Sequence, residues 1–323
     1  MKINKLTIAI PTKNRSELLR SALKGIVNQG AFSDINIVIC DNCSNDSTRE
    51  VLSDFTQFEN ITAISNKKPL TLDQNMIKVA KLVETEYFLW LGDDDCIENG
   101  ALKDLVEIVM KNSYDFILLN FKMVSKDFST VYKNGIIRDK DMNYNSPKLF
   151  FKSHYNEMPF GTLILRTDLF KTALTGLDKY MQTSHAYGGI ALDYLAKKYR
   201  ETGRVSIMVS SYEYILLRQV EKTWTLDTSR IMFIDIPKWY KALDSYYENI
   251  ANIILKDYLK KQFSLKTLLY HKYTLKINLE NYLDNTAYAG KFMKLKYIVV
   301  AIIPRIRLFD NFLQKKINKN KRW

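Results

Sequence analysis

The chain has 323 residues, of which 46% are hydrophobic and 26% charged, with 11 glycines and 6 prolines. That balance supports a sizeable core and excludes collagen, a coiled coil and wholesale disorder. The net charge of +13 points to an anionic partner, but nine of those thirteen charges fall in residues 291–323, where ten Lys and Arg stand against Asp310 alone; a nucleic-acid groove spreads its charge over the body, so nucleic acid is not the expected partner.

In chain order, residues 6–10 are apolar and read as a buried strand. Leu18, Leu19, Ala22, Leu23, Ile26 and Val27 follow at helical spacing, and Gly30 stands where a C-cap belongs. Residues 35–40 form a second strand, after which Asp46 or Ser47 can cap a helix bearing Val51, Leu52 and Phe55. Residues 61–65 are a third strand, followed by a helical face of Leu72, Met76, Val79, Ala80 and Val83. Residues 87–91 are a fourth, followed by Leu102, Leu105, Val106 and Val109 at helical spacing, and residues 116–121 are a fifth. Strands apolar on both faces, alternating with amphipathic helices, imply an α/β fold with a mostly parallel sheet covered by helices on both faces. Residues 122–225 are mixed, with strand-like pieces at 162–165 and 205–209 and a helical run from about 189 to 199. From about 230 onward the pattern is mainly helical. The expected organisation is one α/β domain over 1–228, with a nucleotide-binding type of half to about 121 and a mixed second half to 228, then a helical region over 229–323.

Cys40, Cys43 and Cys96 are too few for a disulfide framework, so a reducing compartment is expected. Cys40 and Cys43 form a lone C-x-x-C without the second pair that zinc needs. The opening segment is not read as a signal peptide, because Pro11 and Lys13 interrupt a short apolar run. The longest late apolar run, 297–303, falls far short of the ~20 residues that span a bilayer.

Ligands of such sheets bind beyond the carboxyl ends of the strands, so the segments that follow the strands carry the chemistry. Gly92-Asp93-Asp94-Asp95 after the fourth strand places three repelling carboxylates at the mouth of a dry sheet. Such acids suit a hard cation, Mg²⁺ or Mn²⁺, that shares its shell with substrate phosphates; the plain alternative is a solvated acidic turn ahead of a helix. Pro11-Thr12-Lys13-Asn14-Arg15 after the first strand offers backbone amides and a basic side chain to phosphate or nucleotide, or else a loop capped by Asn14 or Ser16. Asp41-Asn42-Cys43-Ser44-Asn45-Asp46 after the second strand can accept from a base N–H or a ribose hydroxyl, or form an Asx-rich turn.

Taken in order, I-P-T-K-N-R, I-C-D-N-C-S-N-D-S-T and W-L-G-D-D-D resemble the family 2 glycosyltransferases of the GT-A fold, over roughly residues 4–225. The G-D-D-D form has Gly92 where other members have their first Asp. It is similar to the subgroup that builds bacterial O-antigen and capsular polysaccharides. The resemblance implies that Pro11, Thr12, Asn14 and Arg15 lie by the nucleotide, that Asp41 contacts the base, and that Asn75 supports the nucleotide. It implies Asp93 and Asp94 beside ribose and diphosphate, and a Mg²⁺ or Mn²⁺ ion on Asp95 with Asp93. It implies also that Arg218, Lys222 and Trp224 belong to a loop closing over the diphosphate, for which an ordinary basic surface loop is the alternative. Neither a G-x-G-x-x-G nor a P-loop follows the first strand, which disfavours a dehydrogenase or a kinase.

An inverting transfer needs a general base for the acceptor hydroxyl. In the family it is an Asp or Glu near a helix start about 90–100 residues after the acids. Here that region, 183–194, has no E-D pair; the candidates are His185, placed first, and Asp193. Each has a structural alternative, a capping or packing role for His185 and a solvated helix position for Asp193.

In the tail, residues 297–303 with Ile306, Leu308, Phe309, Phe312 and Leu313 alternate with Lys and Arg, as in helices that lie in a membrane interface; a helix packed on the body is the alternative. The expectation is an enzyme, a metal-dependent glycosyltransferase. It would move sugar from a nucleotide-sugar donor, UDP-linked, to a lipid-linked or growing glycan. Its place would be cytoplasmic and peripheral, on the inner face of a bacterial cell membrane with an anionic surface. The rivals are a sugar nucleotidyltransferase, which should carry a Gly-rich basic loop after the first strand, and a non-catalytic nucleotide-sugar-binding membrane-associated protein.

Overall fold

The computed structural model describes residues 4–111, 113–136, 139–174, 176–181, 183–220, 228–274 and 282–302. The chain divides into two compact units: Met1–Asp178 with Ile190–Val220, and Lys179–Gly189 with Glu221–Trp323.

The first unit is built on a ten-stranded sheet. β1 (Leu6–Thr12), β2 (Ile35–Asp41), β3 (Ile61–Ser65) and β4 (Tyr87–Trp90) pair in parallel in the order β3-β2-β1-β4. All seven residues of β1 are buried, as a central strand covered on both faces requires. Alternation divides its side chains: Leu6, Ile8 and Ile10 join a core with Leu19, Leu23 and Ile26 of α1 (Ser16–Val27), Val51, Leu52 and Phe55 of α2 (Thr48–Phe55) and Leu102, Leu105 and Val109 of α4 (Ala101–Lys111). α3 (Leu72–Lys81) instead sets its buried Met76, Val79 and Ala80 against β1 and β2 outside that cluster. Helices therefore cover both faces.

Beyond β4 the sheet departs from the simple parallel expectation. β6 (Phe116–Ser125) is not the neighbour of β4; β9 (Leu163–Arg166) lies between them, antiparallel to both, with Ile164 opposite Leu89 on one side and Ile117 on the other. β10 (Ile207–Gln219) then runs parallel to β6, through bulges, and antiparallel to the two-residue β5 (Cys96–Ile97). β7 (Val131–Asn134) pairs with β6, and β8 (Met142–Tyr144) with β10. A buried antiparallel strand and a buried parallel one show the same unbroken apolar run, so the pattern of β9 does not reveal its direction.

Two local expectations change. The left-handed residue after α1 is Ala31 (φ 67°), not Gly30, and the helix ends at Asn28. Neither Asn14 nor Ser16 caps α1 with its side chain; the Asp46 carboxylate, from the next loop, accepts the Ser16 amide at 3.0 Å. Asp46 also takes the Thr48 amide at 3.1 Å, so it, rather than Ser47, closes the start of α2.

The second unit is helical. A π-helical turn, Ile231–Asp235, runs into the helix Ile236–Ala242, followed by Glu248–Gln262, Leu265–Thr274, Tyr282–Asn285 and Lys291–Ile302. Phe233, Phe263 and Tyr297 meet edge-on or tilted in its core. The buried Lys272 donates to the carbonyls of Val300 (2.6 Å) and Ala301 (2.8 Å), satisfying the C-terminal end of Lys291–Ile302. That contact, with Tyr297 and Val300 buried, fixes which side of the last helix faces inward. The opposite side shows Phe292, Leu295, Val299 and Ile302, at 69%, 56%, 42% and 60% exposure. No described helix is long and apolar enough to cross a membrane.

Candidate active site

The site grows from the ends of β1, β2 and β4. Thr12 and Asp41 are register partners, and Asn42 N–H donates to Thr12 O at 2.9 Å, so the two loops leave the sheet side by side. They brace each other. Asn14, at φ 54°, donates its amide to Ser44 Oγ (2.8 Å) and accepts from the Asn45 amide at Oδ1 (2.9 Å). With the Ser16 amide held by Asp46, the Asn14 and Ser16 N–H groups are committed to the fold, so among the amides of residues 11–15 expected to serve a phosphate that of Asn14 is already taken. Pro11, within β1, is buried and has no N–H to offer.

Asp41 is buried, its Oδ1 accepting from Ser44 N (3.1 Å) and its Oδ2 from Ser65 Oγ (3.2 Å). Behind it, Asn75 Nδ2 donates to Cys40 O (3.0 Å), and Asn75 Oδ1 accepts from Asn66 (2.8 Å), which also donates to Asn42 Oδ1 (3.0 Å). Asn75 thus supports the loop from beneath and is itself 3% exposed.

The acid turn is held from both sides. Thr12 Oγ1 donates to Asp93 Oδ2 at 2.7 Å, and Arg15 Nη1 spans Asp93 Oδ1 at 3.1 Å and Asp94 Oδ2 at 2.8 Å. Burial pushes the Asp93 carboxyl up to about 6; Asp94 adds to the rise while Arg15 and Thr12 oppose it. Burial works against the Arg15 charge too, but Asp93 and Asp94 outweigh it and its pKa rises. Asp95 accepts the Arg218 backbone amide at 3.0 Å through Oδ1.

Two glycines make room for Asp95. A Cβ on Gly92 would stand 2.5 Å from Asp95 Oδ2 and 2.9 Å from Asp94 Oδ1, so an Asp at this position would require both carboxylates to shift. Gly161, at φ 93°, needs the freedom of glycine, and its Cβ would reach within 3.2 Å of the same Oδ2. Gly161 had no signal in the sequence, because it lies remote from the acids and ahead of a strand of unexpected direction. Carboxylate oxygens held close together suit a hard divalent ion. Among the described residues no three His, Cys, Asp or Glu side chains form a cage for one, so such an ion would complete its shell with ligand oxygens and water.

Arg218 is not in an open loop. It sits on β10 at 4% exposure, Nη2 donating to Ser21 Oγ and Cys96 Sγ, each at 3.1 Å, with its guanidinium 4.4 Å from the Phe128 ring centre. Its side chain is therefore inside the fold and on a strand, not in the loop expected to close over a diphosphate. Lys222 and Trp224 lie outside the described residues.

The two base candidates fall in different units. His185, in the second, is partly buried; its Nδ1 lies 3.2 Å from Thr183 O, which can only accept, so Nδ1 carries the proton and Nε2 the lone pair. Desolvation lowers its pKa, against Thr183 O and Asp235. Neighbouring Ser184, at φ 58°, donates to Asp235 Oδ2 at 3.0 Å. Asp193, in the first unit, is partly buried on the second turn of α7 (Ala186–Thr202).

Residues 7–172, just over half of the chain, match the family described as Glycosyl transferase family 2, and the protein belongs to that family. Among curated relatives, it is 30% identical over 125 residues to abequosyltransferase RfbV of Salmonella typhimurium (38% of this chain, 37% of the relative). It is 25% identical over 150 residues to poly(ribitol-phosphate) beta-N-acetylglucosaminyltransferase TarP of Staphylococcus aureus (45% and 46%). It is 31% identical over 105 residues to GalNAc(5)-diNAcBac-PP-undecaprenol beta-1,3-glucosyltransferase of Campylobacter jejuni (32% and 34%). The matches span less than half the length of these relatives. In fold it is similar to S. aureus TarS 1-349 in complex with UDP-GlcNAc, with TM-score 0.61 and 19% identity over 89% of this chain and 80% of that one.

Proposed function

We propose that the protein is a metal-dependent, inverting glycosyltransferase that moves a sugar from a UDP-linked donor to a lipid-linked or growing glycan of a bacterial surface polysaccharide, of the O-antigen or capsule kind. The observation that carries this reading is the acid turn, three carboxylates held by Thr12, Arg15 and the Arg218 amide, with glycines 92 and 161 clearing space at Asp95. Asp41 lies at the end of the neighbouring strand for the base, and Thr12 and Arg15 sit between the two loops.

Asp95 would hold Mg²⁺ or Mn²⁺ with the donor diphosphate, and Asp93, whose oxygens are occupied by Thr12 and Arg15, would act behind it. When bound, the cation offsets charge growing on the leaving diphosphate. The acceptor oxygen bonds to sugar C1 as the C1–O bond to the diphosphate breaks, and the bonding pair leaves with the nucleotide. The acceptor proton goes to the base, His185 at Nε2 in the first assignment, Asp193 in the second. Burial keeps the His185 imidazole neutral near pH 7, ready to accept.

The protein also docks peripherally on an anionic membrane, in the cytoplasm where the lipid-linked acceptor is made. The supporting feature is the exposed face of Lys291–Ile302, where Phe292, Leu295, Val299 and Ile302 recur along one side. Lys291 and Lys296 fall on either side of that stripe by helical geometry, and Lys296 Nζ stands 4.6 Å from the centre of the Phe292 ring. The ten basic residues of 291–323 complement anionic lipid.

A thermal-shift screen of nucleoside diphosphates with Mn²⁺ tests the reading, because a ligand of the native state raises the melting temperature by mass action. UDP with Mn²⁺ should give the largest rise. Equal indifference to all nucleotides, with and without metal, would overturn the assignment.

A further inference from the structure

Arg218 presents a physical problem. Its side chain is 4% exposed, yet among the described residues no carboxylate pairs with its guanidinium. Its polar contacts are neutral, Ser21 Oγ and Cys96 Sγ, and its Nε has no partner. A buried guanidinium with no carboxylate hydrogen-bonded to it costs stability, and an apolar side chain of similar length would avoid that cost. The charge is therefore kept for something other than packing.

What adjoins it is the acid turn. Leu216 pairs with Cys96 across β10 and β5, which brings the next turn of chain, Asp93–Asp95, to the end of β10. The Arg218 amide donates to Asp95 Oδ1 in a buried bond, and the guanidinium touches Cys96, the residue directly after Asp95. One residue thus holds the turn twice, through main chain and side chain. Phe128 closes the far side of the guanidinium from a position at φ 63°, a strained conformation for an aromatic residue. The strain is sustained by Asp127, whose Oδ1 accepts from Ser125 Oγ (2.6 Å), Ser129 Oγ (2.8 Å) and Ser129 N (3.2 Å). The ring is held over the cation by its loop.

We propose that Arg218 is a positioning residue for Asp95: its buried side chain pins the end of β10 so that its amide aims the carboxylate, and its charge, with that of Arg15, offsets the three acids so that the turn accepts a divalent cation together with a nucleoside diphosphate. Arg218 acts through Asp95 and does not touch the donor. The inference rests on the proposed role of Asp95.

Calorimetric titration of UDP, in Mn²⁺ and in EDTA, tests both. The wild-type protein should bind UDP more tightly with Mn²⁺. Arg218→Met, which keeps the aliphatic length and removes the charge, should lose about tenfold or more of that metal-dependent gain, the usual size for a group that orients a metal ligand, with UDP affinity in EDTA unchanged. Arg218→Lys should recover part of it, because charge returns without the fork. Phe128→Gly relieves the strained φ and frees the guanidinium, so it should lose part of the gain while keeping the melting temperature. An unchanged gain in Arg218→Met overturns the proposal, and so does an equal loss in EDTA, which would mean that Arg218 contacts the donor. If Arg218→Met does not fold, the same two criteria applied to Arg218→Lys and Phe128→Gly decide. Asp95→Asn is the separate control: if it keeps the full Mn²⁺ gain, the role given to Asp95 fails, whatever Arg218 does.

Discussion

Around the strand ends of the first unit, Asp41, Asn75, Asp93, Asp95 and Arg218 are buried polar side chains; the first four are hydrogen-bonded to named neighbours, and Arg218 bonds through one arm of its guanidinium. On the helix Lys291–Ile302 of the second unit the reverse holds: Phe292, Leu295, Val299 and Ile302 face outward, while Lys272 of the helix Leu265–Thr274 is buried against its C-terminal end. Burying charge and exposing a contiguous apolar stripe both cost stability, and both are the informative exceptions to the ordinary distribution of residues. They differ in what repays the cost. The buried acids are offset within the unit by Arg15, Thr12 and the Arg218 amide, so their partners are in place without a ligand. The exposed stripe has no partner of that kind among the described residues and gains only when something apolar covers it.

The sharpest break in this comparison comes from the acids. Asp95→Ala should lower transfer by about a thousandfold or more, because it removes stabilisation worth several kcal/mol at the leaving diphosphate. The melting temperature should fall little, since Asp95 lies in a turn that Gly92 shapes; steady-state turnover beside a melting curve reads both.

The next effect separates the base candidates. His185→Ala or Asp193→Ala, one of them only, should lower turnover by ~10²–10⁴-fold with donor affinity unchanged. Normal turnover in both places the base outside residues 183–194.

The stripe is smaller in effect. Leu295→Ser with Ile302→Ser should weaken co-sedimentation with anionic vesicles by about tenfold or more, as loss of apolar side chains worth roughly 1.5–3 kcal/mol each implies. UDP binding should not change, and neither should the melting temperature, because Tyr297 and Val300 carry the inward packing. Salt should weaken wild-type vesicle binding only in part, since apolar contact is not screened. If the stripe instead served folding, the double variant would melt earlier and wild-type binding would be weak from the outset.

The smallest effect is one of pH. Burial pushes the His271 imidazole down to about 4; Nε2 donates to Gln262 Oε1 at 3.0 Å and Nδ1 has no partner among the described residues. The unfolded chain takes this proton near the ordinary value of about 6.5. The contribution of neutral His271 is therefore present above pH 6.5 and is lost as pH falls from there towards 4. His271→Leu should flatten the fall in melting temperature between pH 7 and pH 5, and an unchanged slope would place the acid sensitivity elsewhere.

Most of the nucleotide half was legible in the sequence, because buried strands and amphipathic helices leave different periods, and because polar segments after parallel strands are where ligands bind. The rest was hidden for physical reasons. The direction of β9 was not legible, since an apolar strand looks alike whichever way it runs. Nor was the commitment of the Asn14 and Ser16 amides to Ser44 and Asp46, which depends on two loops meeting across the sheet. Arg218 read as part of a loop over the diphosphate, or of an ordinary basic surface loop, because sequence shows its charge but not Phe128, Ser21 and Cys96 closing around it. Gly92, taken as a missing acid, is the residue that lets Asp94 and Asp95 fold back over the turn.

The account stands or falls on metal-dependent donor chemistry at Asp95. The most direct measurement is UDP release from a panel of UDP-sugars by the wild-type protein and Asp95→Ala, first in EDTA and then with Mn²⁺ restored. The prediction is release by the wild type that stops in EDTA and returns with Mn²⁺, on at least one donor, and none by Asp95→Ala in either condition. Full release in EDTA, or full release by Asp95→Ala, would contradict it.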